Sequence, residues 1–333
     1  MNIRDRRGIR ALAAEAISAA PVSPGRLALI HTGAAVALSV VLTVLNFILS
    51  EQISGTGGLS GMGMRSVLST AQMMLSIISM TLMPFWELGF VFAALKLSRR
   101  QNAEPQDLLQ GFRRFGPALR LSLLQALLYL ALAILCINIA SFVFVLTPFA
   151  APLAQVMGDI SVTMPDMNAV MNALLSAMVP FYCIFLVILG AIAIPVMYRF
   201  RLAQYLIVDD PRIGALAALG TSHRLMRHNR WAMFRLDLSF WWYYALQLLC
   251  VLLAYGDMLA EAFGIALPFS STATFFISFA VNCAAQLLLA WRFAAPVAVT
   301  YATAYEALQH QYEDAEPLLV KNFPWDFLPE REK

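Results

Sequence analysis

Six long runs without a charged residue constrain the fold of this chain more than any other feature. Each run supplies the roughly 20 apolar residues with which a helix crosses a hydrocarbon core of ~30 Å, and in lipid the backbone groups must bond within the segment. Only 13% of the residues are charged, whereas a soluble domain has roughly 25%. The sequence therefore predicts an all-α integral membrane protein with six transmembrane helices. The runs are Leu27–Ser50, Ser66–Trp86, Leu121–Val156, Asn168–Tyr198, Leu238–Gly256 and Ala262–Trp291.

The basic residues are distributed unevenly among the connections between these runs. Of the 23 lysines and arginines, 22 lie in residues 1–26, 96–120, 199–235 and from 292 onward, and only Arg65 lies in a connection on the opposite side. Positively charged connections stay on the cytoplasmic side of a membrane. We therefore expect a multi-pass protein of the bacterial cytoplasmic (plasma) membrane, with the N-terminus and the C-terminus both in the cytoplasm.

The stretch from Ser222 to Tyr244 interleaves basic residues with aromatic ones, a pattern that fits two settings. It can line a nucleic-acid groove, or it can mark the point where a basic helix at the headgroups leads into lipid. The orientation above favours the membrane, so we expect contact with anionic lipid headgroups of the cytoplasmic leaflet and no nucleic acid. The arginines assigned to this interface are Arg113, Arg114, Arg224, Arg227, Arg230 and Arg235.

A pattern of about 100 residues recurs three times along the chain. In each copy, at approximately residues 1–100, 101–205 and 206–308, an amphipathic segment and a break precede two spans. We interpret the copies as three helical hairpins, each preceded by an amphipathic helix at the cytoplasmic interface. They form a single membrane domain over residues 1–310, and residues 311–333 form an acidic cytoplasmic tail.

Each even-numbered span carries a proline in or near its cytoplasmic half: Pro84, Pro195 and Pro296. A proline inside a helix removes one hydrogen bond and kinks the helix, and the released carbonyl needs another partner in lipid. Two interpretations stay open. The kinks can make the bundle widen or move toward the cytoplasm, or they can serve packing alone.

Three segments of the chain carry a resemblance to a known family: DLLQGFRRFGPAL (107–119), AQYLIVDDPRIGALAALGTSHRLMRHNRWAMFRLDLSF (203–240) and APVAVTYATAYEAL (295–308). They resemble the bacterial polytopic membrane proteins of domain-of-unknown-function family 975. That family usually has Gly-Asn at the hinge and a glycine before the aromatic residue, where this chain has His228-Asn229 and Trp241-Trp242. The hinge is therefore less flexible here. The resemblance implies a six-span membrane protein and brings no activity and no catalytic residues.

No motif in the sequence indicates an enzyme. A glycine-rich phosphate loop followed by Lys and Ser or Thr is absent, so we do not expect ATP hydrolysis. The four cysteines lie inside predicted spans without metal or redox spacing. Among the histidines, His223 and His228 are poorly angled for one ligand set. We expect no enzymatic activity, no cofactor and no metal.

Glu87 and Arg292 are the charged residues within predicted helical spans that require an explanation. Glu87 lies about nine residues, or ~13 Å of helix, from Lys96, and a charge at that depth costs about 2.5–3.5 kcal/mol on insertion scales. In a functional interpretation, Glu87 titrates or holds a cationic substrate in a central cavity, with Arg292 as its counter-ion. In a structural interpretation, Glu87 pairs statically with Arg292 or bonds to a tyrosine or asparagine of a neighbouring span.

Two functions from different classes fit these features. The first is a non-enzymatic carrier or permease-like protein whose cavity opens to the cytoplasm near the prolines. The second is a non-transporting envelope-homeostasis factor, or a scaffold or accessory subunit that docks lipids or a protein partner of unknown identity. A polar, water-accessible cavity lined by Glu87 and Arg292 would favour the first function, and sealed apolar packing or lipid around both residues would remove its best support.

Reporter fusions after Ser50, Met157 and Met258 test the predicted topology. All three should report periplasmic exposure, because each position follows a span that runs outward from the cytoplasm. Fusions after Asp210 and Lys333 serve as cytoplasmic controls. A cytosolic signal at any one of the three periplasmic positions would overturn the six-span architecture and its orientation.

Overall fold

The computed structural model describes residues 5–55, 62–151, 154–155, 167–210, 212–256 and 271–322. Regular secondary structure in these ranges is entirely helical. The α-helices are α1 (Arg6–Ser18), α2 (Pro24–Gly55), α3 (Met62–Ser98), α4 (Gln110–Arg113), α5 (Phe115–Val145), α6 (Met167–Phe200), α7 (Ala203–Asp209), α8 (Ala215–Met226), α9 (Arg230–Leu238), α10 (Trp241–Ala254), α11 (Ser271–Leu289) and α12 (Ala295–Asn322). Short 3-10 helices cover Pro105–Leu109 and Pro148–Ala150, and a π-helical segment covers Ala290–Ala294.

Five helical stretches are long and apolar enough to cross a bilayer. They lie in α2, α3, α5, the stretch from α6 through α7, and the stretch from α11 through α12. Helices α9 and α10 pass the same test together but are bent by 65° at the break between them, so they add a sixth span if the bent pair crosses as one. The protein is thus an all-α multi-pass membrane protein with five or six candidate spans. The hinge expected at His228-Asn229 separates α8 from α9, whereas the break before Trp241 was not predicted.

Large apolar side chains cover the outer faces of these helices. Leu127, Val145 and Val187 are 64%, 70% and 71% exposed. Apolar surface of this extent is unfavourable in water and favourable in a hydrocarbon core. The exposed faces therefore indicate contact with lipid.

Neighbouring long helices pack in pairs: α2 against α3, α5 against α6, and α10 against α11. Pro84 lies inside α3 and Pro195 inside α6, and both helices continue through their prolines. Pro296 is the second residue of α12, directly after the π-helical segment. An α-helix is irregular at such a segment, so the third proline marks a break in the regular hydrogen-bond pattern between α11 and α12.

The densest packing lies at the end of the bundle where the basic residues gather. There the end of α3 contacts α1, α7 and the start of α12, and side chains of α8 and α9 join the same core. Fully buried side chains in this core include Ile9, Phe85, Leu95, Met226 and Tyr305. Because these side chains come from segments that are far apart in the sequence, this core holds the helices in register.

Protein covers the apolar faces of two helices that we assigned to the membrane interface. Ile9 and Ala13 of α1 are buried, and α1 packs against α12 and α3. Ala218 and Leu225 of α8 are buried, and α8 packs against α6 and α7. The third expected helix is instead a 3-10 helix and the single turn α4. An apolar stripe in a sequence does not distinguish lipid from protein as the surface that covers it.

Helix α3 ends in a Schellman motif that positions an arginine for a contact with α1. The amide of Gln101 donates to the Lys96 carbonyl at 2.8 Å, and the amide of Arg100 donates to the Leu97 carbonyl at 3.1 Å. Arg100 adopts a left-handed conformation with φ 56°. Its guanidinium then forms an ion pair with Glu15 at 2.7 Å, which joins α1 to the end of α3.

Two glycines allow α3 and the 105–113 segment to approach backbone to backbone. A Cβ on Gly89 would overlap with the carbonyl of Leu108, and a Cβ on Gly111 would overlap with the carbonyl of Phe85. Both obstacles are backbone atoms, which cannot rotate away as a flexible side chain can. The two glycines therefore determine how closely this segment packs on α3, at positions one and five residues after Pro84.

Gly89→Ala and Gly111→Ala should each destabilise the protein by about 1–3 kcal/mol, because overpacked methyl groups force the backbone apart. Gly220→Ala is the matched control, since a Cβ there meets nothing within 4 Å and alanine favours a helix interior by roughly 0.5–1 kcal/mol. Thermal unfolding of the purified protein in detergent measures all three. An unchanged unfolding temperature for both Gly89→Ala and Gly111→Ala would contradict the close approach.

Candidate functional site

A polar cavity of about 430 Å³ lies between α2, α3, α10 and α11. We call it the Glu87 cavity, because Glu87 is the acidic residue of its described lining. Hydroxyl and amide side chains line it from α2, α10 and α11, so an occupant would meet hydrogen-bonding groups on several sides. These side chains are Thr32, Ser39, Gln247, Asn282 and Gln286.

Glu87 lies among the packed helices, yet its side chain is exposed because it faces this cavity. It makes no ion pair with any residue in the described ranges. A carboxylate in a membrane-spanning helix without a fixed cationic partner is costly unless water or a ligand reaches it. The cavity supplies that access.

Aromatic rings and unused polar atoms complete the wall of the Glu87 cavity. The His31 ring stacks against Trp86 and against Phe90, with centroid distances of 5.4 and 4.5 Å, and the Trp86 indole donates to the His31 carbonyl at 2.9 Å. His31 Nε2 and Asn282 Oδ1 are buried and have no hydrogen-bond partner within the described chain. Buried polar atoms are normally paired, so this site has spare capacity for a hydrogen-bonding ligand.

Arg292 does not line the Glu87 cavity. It lies in the π-helical segment, its side chain is exposed, and its guanidinium lies 5.8 Å from the Phe293 ring centroid. The structure therefore does not bring Glu87 and Arg292 together, either as a static pair or as opposite walls of one site. An exposed arginine near the end of a span can keep its charge at the membrane surface without a carboxylate partner.

A second cavity, of about 520 Å³, lies between α5, α6, α9 and α10 and contains a residue that we did not select from the sequence, Asp237. Asp237 forms an ion pair with Arg201 and accepts a hydrogen bond from the Tyr198 hydroxyl. The Tyr301 hydroxyl donates to its other oxygen at 2.5 Å and lies 2.6 Å from the Tyr244 hydroxyl. We call these five residues the Asp237 network. In the sequence, Asp237 is marked only as the first acidic residue after Arg224, Arg227, Arg230 and Arg235.

The Asp237 network connects helices from distant parts of the chain. Arg201 follows α6, Asp237 lies on α9, Tyr244 on α10 and Tyr301 on α12. The Arg201 guanidinium also lies over the Tyr301 ring, 4.5 Å from its centroid. Both carboxylate oxygens of Asp237 have partners. A charged pair is tolerated in a low-dielectric environment when its remaining hydrogen-bonding positions are filled in this way.

A second ion cluster surrounds Arg99 at the end of α3. Arg99 pairs with Asp209 at 2.6 Å and with Glu306 at 2.8 Å, and the Tyr305 hydroxyl donates to Asp209 at 3.1 Å. The hydrogen bond to Asp209 is the main cause that raises the pKa of Arg99 above its ordinary value. The cluster ties α3 to α7 and α12, so Asp209 has a structural partner.

Arg114, one of the expected lipid contacts, has a partner within the protein. Its guanidinium donates to the carbonyls of Ile207 and Val208 at 3.2 and 2.6 Å. These carbonyls belong to the last turn of α7, where helices leave acceptors unpaired. Arg114 therefore caps α7, while the neighbouring Arg113 is exposed.

The other four interface arginines lie around the α8–α9 hinge. Arg224 and Arg227 line a pocket of about 410 Å³ with His228, and Arg235 lines one of about 280 Å³ with His228 and Arg6. Neither pocket has a carboxylate in its described lining. Arg230, at the start of α9, is half-buried.

The described part of the chain contains no group of three or more His, Cys, Asp or Glu side chains placed to hold a metal ion. Its four cysteines are free thiols at separate positions, and Cys136 and Cys250 are buried. Buried single cysteines of this kind pack as small apolar side chains. The Glu87 cavity includes the Cys283 thiol and the His31 imidazole in its lining, and the second cavity includes the Arg201 guanidinium.

Tyr301→Phe should destabilise the protein by about 1.5–3 kcal/mol, because it removes a hydrogen bond to a charged carboxylate and leaves the Tyr244 hydroxyl without a partner. Tyr255→Phe is the matched control, since Tyr255 is 56% exposed. Thermal unfolding in detergent should show a lower midpoint for the first variant and no change for the second. Equal midpoints would show that the Asp237 network does not hold the bundle together.

The comparisons with known proteins bear on family membership. No curated protein and no solved structure matches the chain. A family model described as a protein of unknown function, DUF975, matches residues 29–289. The match runs from α2 to the end of α11 and includes Glu87 and Asp237. Since it covers most of the chain, this protein belongs to the DUF975 family.

Proposed function

We propose that this protein is a carrier for small organic cations and that the Glu87 cavity is its binding site. The observation that carries the proposal is a carboxylate on the wall of a polar cavity, within a membrane-spanning helix, that has no ion-pair partner in the described ranges. A permanently unpaired carboxylate has a high cost in a membrane. A substrate cation would supply the missing partner during each transport cycle.

The cavity lining matches the chemistry that recognises an amine or a quaternary ammonium ion. Phe90, Tyr243 and Phe279 bring aromatic rings to the cavity that contains Glu87, and a cation over an aromatic face gains about 0.5–2 kcal/mol. The amide and hydroxyl groups can accept hydrogen bonds from an ammonium group. A volume of about 430 Å³ lies within the range of small-molecule sites, roughly 300–1,000 Å³.

Pro84 lies within one helical turn of Glu87 on α3. Because proline cannot donate the usual backbone hydrogen bond, α3 is weakened beside the proposed site. We propose that α3 adjusts there and that the cavity opens toward the cytoplasm. The cytoplasmic opening is the orientation in which a carrier captures or releases an internal solute.

The proposed setting is the bacterial cytoplasmic membrane, with both termini in the cytoplasm. It rests on the placement of 22 of the 23 basic residues on one side of the predicted spans. The proposed architecture is three hairpins, each preceded by an amphipathic segment at the cytoplasmic face. The pairing of α2 with α3, of α5 with α6 and of α10 with α11 supports this arrangement.

Glu87→Gln should lower the uptake of tetraethylammonium into proteoliposomes at least about tenfold, because the amide keeps the shape of the side chain but cannot provide a negative charge. Glu51→Gln is the matched control: Glu51 is exposed near the end of α2 and does not line the cavity. Its uptake should stay within about twofold of the original protein. Labelled tetraethylammonium, normalised to reconstituted folded protein, provides the measurement.

Two results would contradict the carrier proposal. One is uptake by Glu87→Gln equal to uptake by Glu51→Gln, and the other is an original protein that moves no tetraethylammonium and no polyamine. A fall in folded protein for Glu87→Gln alone would instead assign Glu87 a structural role. That outcome would favour the alternative proposal, a non-transporting scaffold or envelope-homeostasis factor whose acid-free basic pockets dock lipid headgroups or a protein partner.

A further inference from the structure

Two arginines near the α8–α9 hinge hold hydrogen-bond donors that the protein does not use. Arg199 lies in the last turn of α6, and Arg230 begins α9. The Nε atom of each is buried and has no acceptor within the described chain. A buried guanidinium N–H without an acceptor costs free energy, so an ion or a water molecule is expected to accept its hydrogen bond.

His223 lies on α8 next to Ser222, whose hydroxyl donates to the Arg199 carbonyl. Burial and then the positive charges of Arg199, Arg230 and Arg227 lower the pKa of His223 below its ordinary value. The His223 ring also lies 6.4 Å from the Phe200 ring, which fixes α8 against the end of α6. Three arginines thus act on one imidazole, and none of them forms an ion pair with a carboxylate in the described ranges.

Hydrogen bonds through Ser222 join α8 to the backbone at the end of α6. The buried Ser222 hydroxyl donates to the Arg199 carbonyl at 3.0 Å and accepts from the Leu202 amide at 3.1 Å. Helix α9 starts at Arg230 without a side-chain cap on its first turn, so its N-terminal amides add partial positive charge at the same place. Fixed arginines, a histidine and a helix N-terminus are the groups with which proteins bind phosphate.

We propose that Arg199, His223 and Arg230 form a binding site for a phosphate group. Arg227 is exposed and lies at the rim, where its charge attracts the anion. The site is separate from the Glu87 cavity and does not depend on the carrier proposal. The phosphate belongs either to an anionic lipid headgroup of the adjacent leaflet or to a soluble phosphorylated compound, and the two sources share the same recognition chemistry.

The pKa of His223 measures the occupancy of this site directly. A phosphate within about 4–6 Å of the imidazole favours the protonated form and should raise the pKa of His223 by about 1 pH unit or more. NMR of isotope-labelled histidine in the full-length protein in detergent measures it in chloride buffer, with inorganic phosphate, and with short-chain phosphatidic acid. Short-chain phosphatidylcholine, whose headgroup is neutral overall, is the lipid control.

A rise with inorganic phosphate and phosphatidic acid supports a general phosphate site, and a rise with phosphatidic acid alone identifies a lipid headgroup as the occupant. Arg230→Gln should abolish the rise. Arg212→Gln, which removes the same charge from an exposed position outside the site, should keep it. The proposal is wrong if neither anion changes the pKa of His223 in the original protein, or if the rise persists in Arg230→Gln.

Discussion

The arrangement of this bundle depends on how a chain that is mostly in lipid accommodates its carboxylates. Asp237 is held by Arg201, and Asp209 and Glu306 are both held by Arg99. Each partner comes from another segment, so these partly buried ion pairs link separate parts of the chain. Breaking such a pair leaves one charge uncompensated, which typically costs about 3–5 kcal/mol in a buried setting. The dense core lies at the same end of the bundle because these links hold α3, α6, α9 and α12 together there.

Glu87 differs from these carboxylates because it forms no ion pair within the described ranges. Lys96 on the same helix has a carboxylate partner, Asp107, at 2.8 Å, whereas Glu87 faces a cavity with amide, hydroxyl and aromatic side chains. Asp237, in contrast, has Arg201 as its ion-pair partner. A group left without such a partner in an expensive location is what a site for a mobile cation requires.

The sequence was informative where local chemistry decides the structure and uninformative where distant contacts decide it. The helical, multi-pass architecture follows from uncharged runs, and Glu87 stands out because it directly follows one of them, about nine residues before the next charge, Lys96. Asp237 could not be selected, because its partners Arg201 and Tyr301 are on helices that only the fold brings to it. The apolar faces of α1 and α8 were visible as stripes, but the sequence could not show that protein rather than lipid covers them.

Helix α10 relates the two cavities to each other. Tyr243 lines the Glu87 cavity and accepts a hydrogen bond from Gln247 at 3.2 Å, and the next residue, Tyr244, belongs to the Asp237 network. Consecutive residues of a helix point in directions about 100° apart, so one turn of α10 faces both sites. The 65° bend between α9 and α10 lies just before this turn. A shift of α10 at the bend would change the wall of the Glu87 cavity and the contacts of Asp237 together, so the proposed carrier could couple the two sites through this helix.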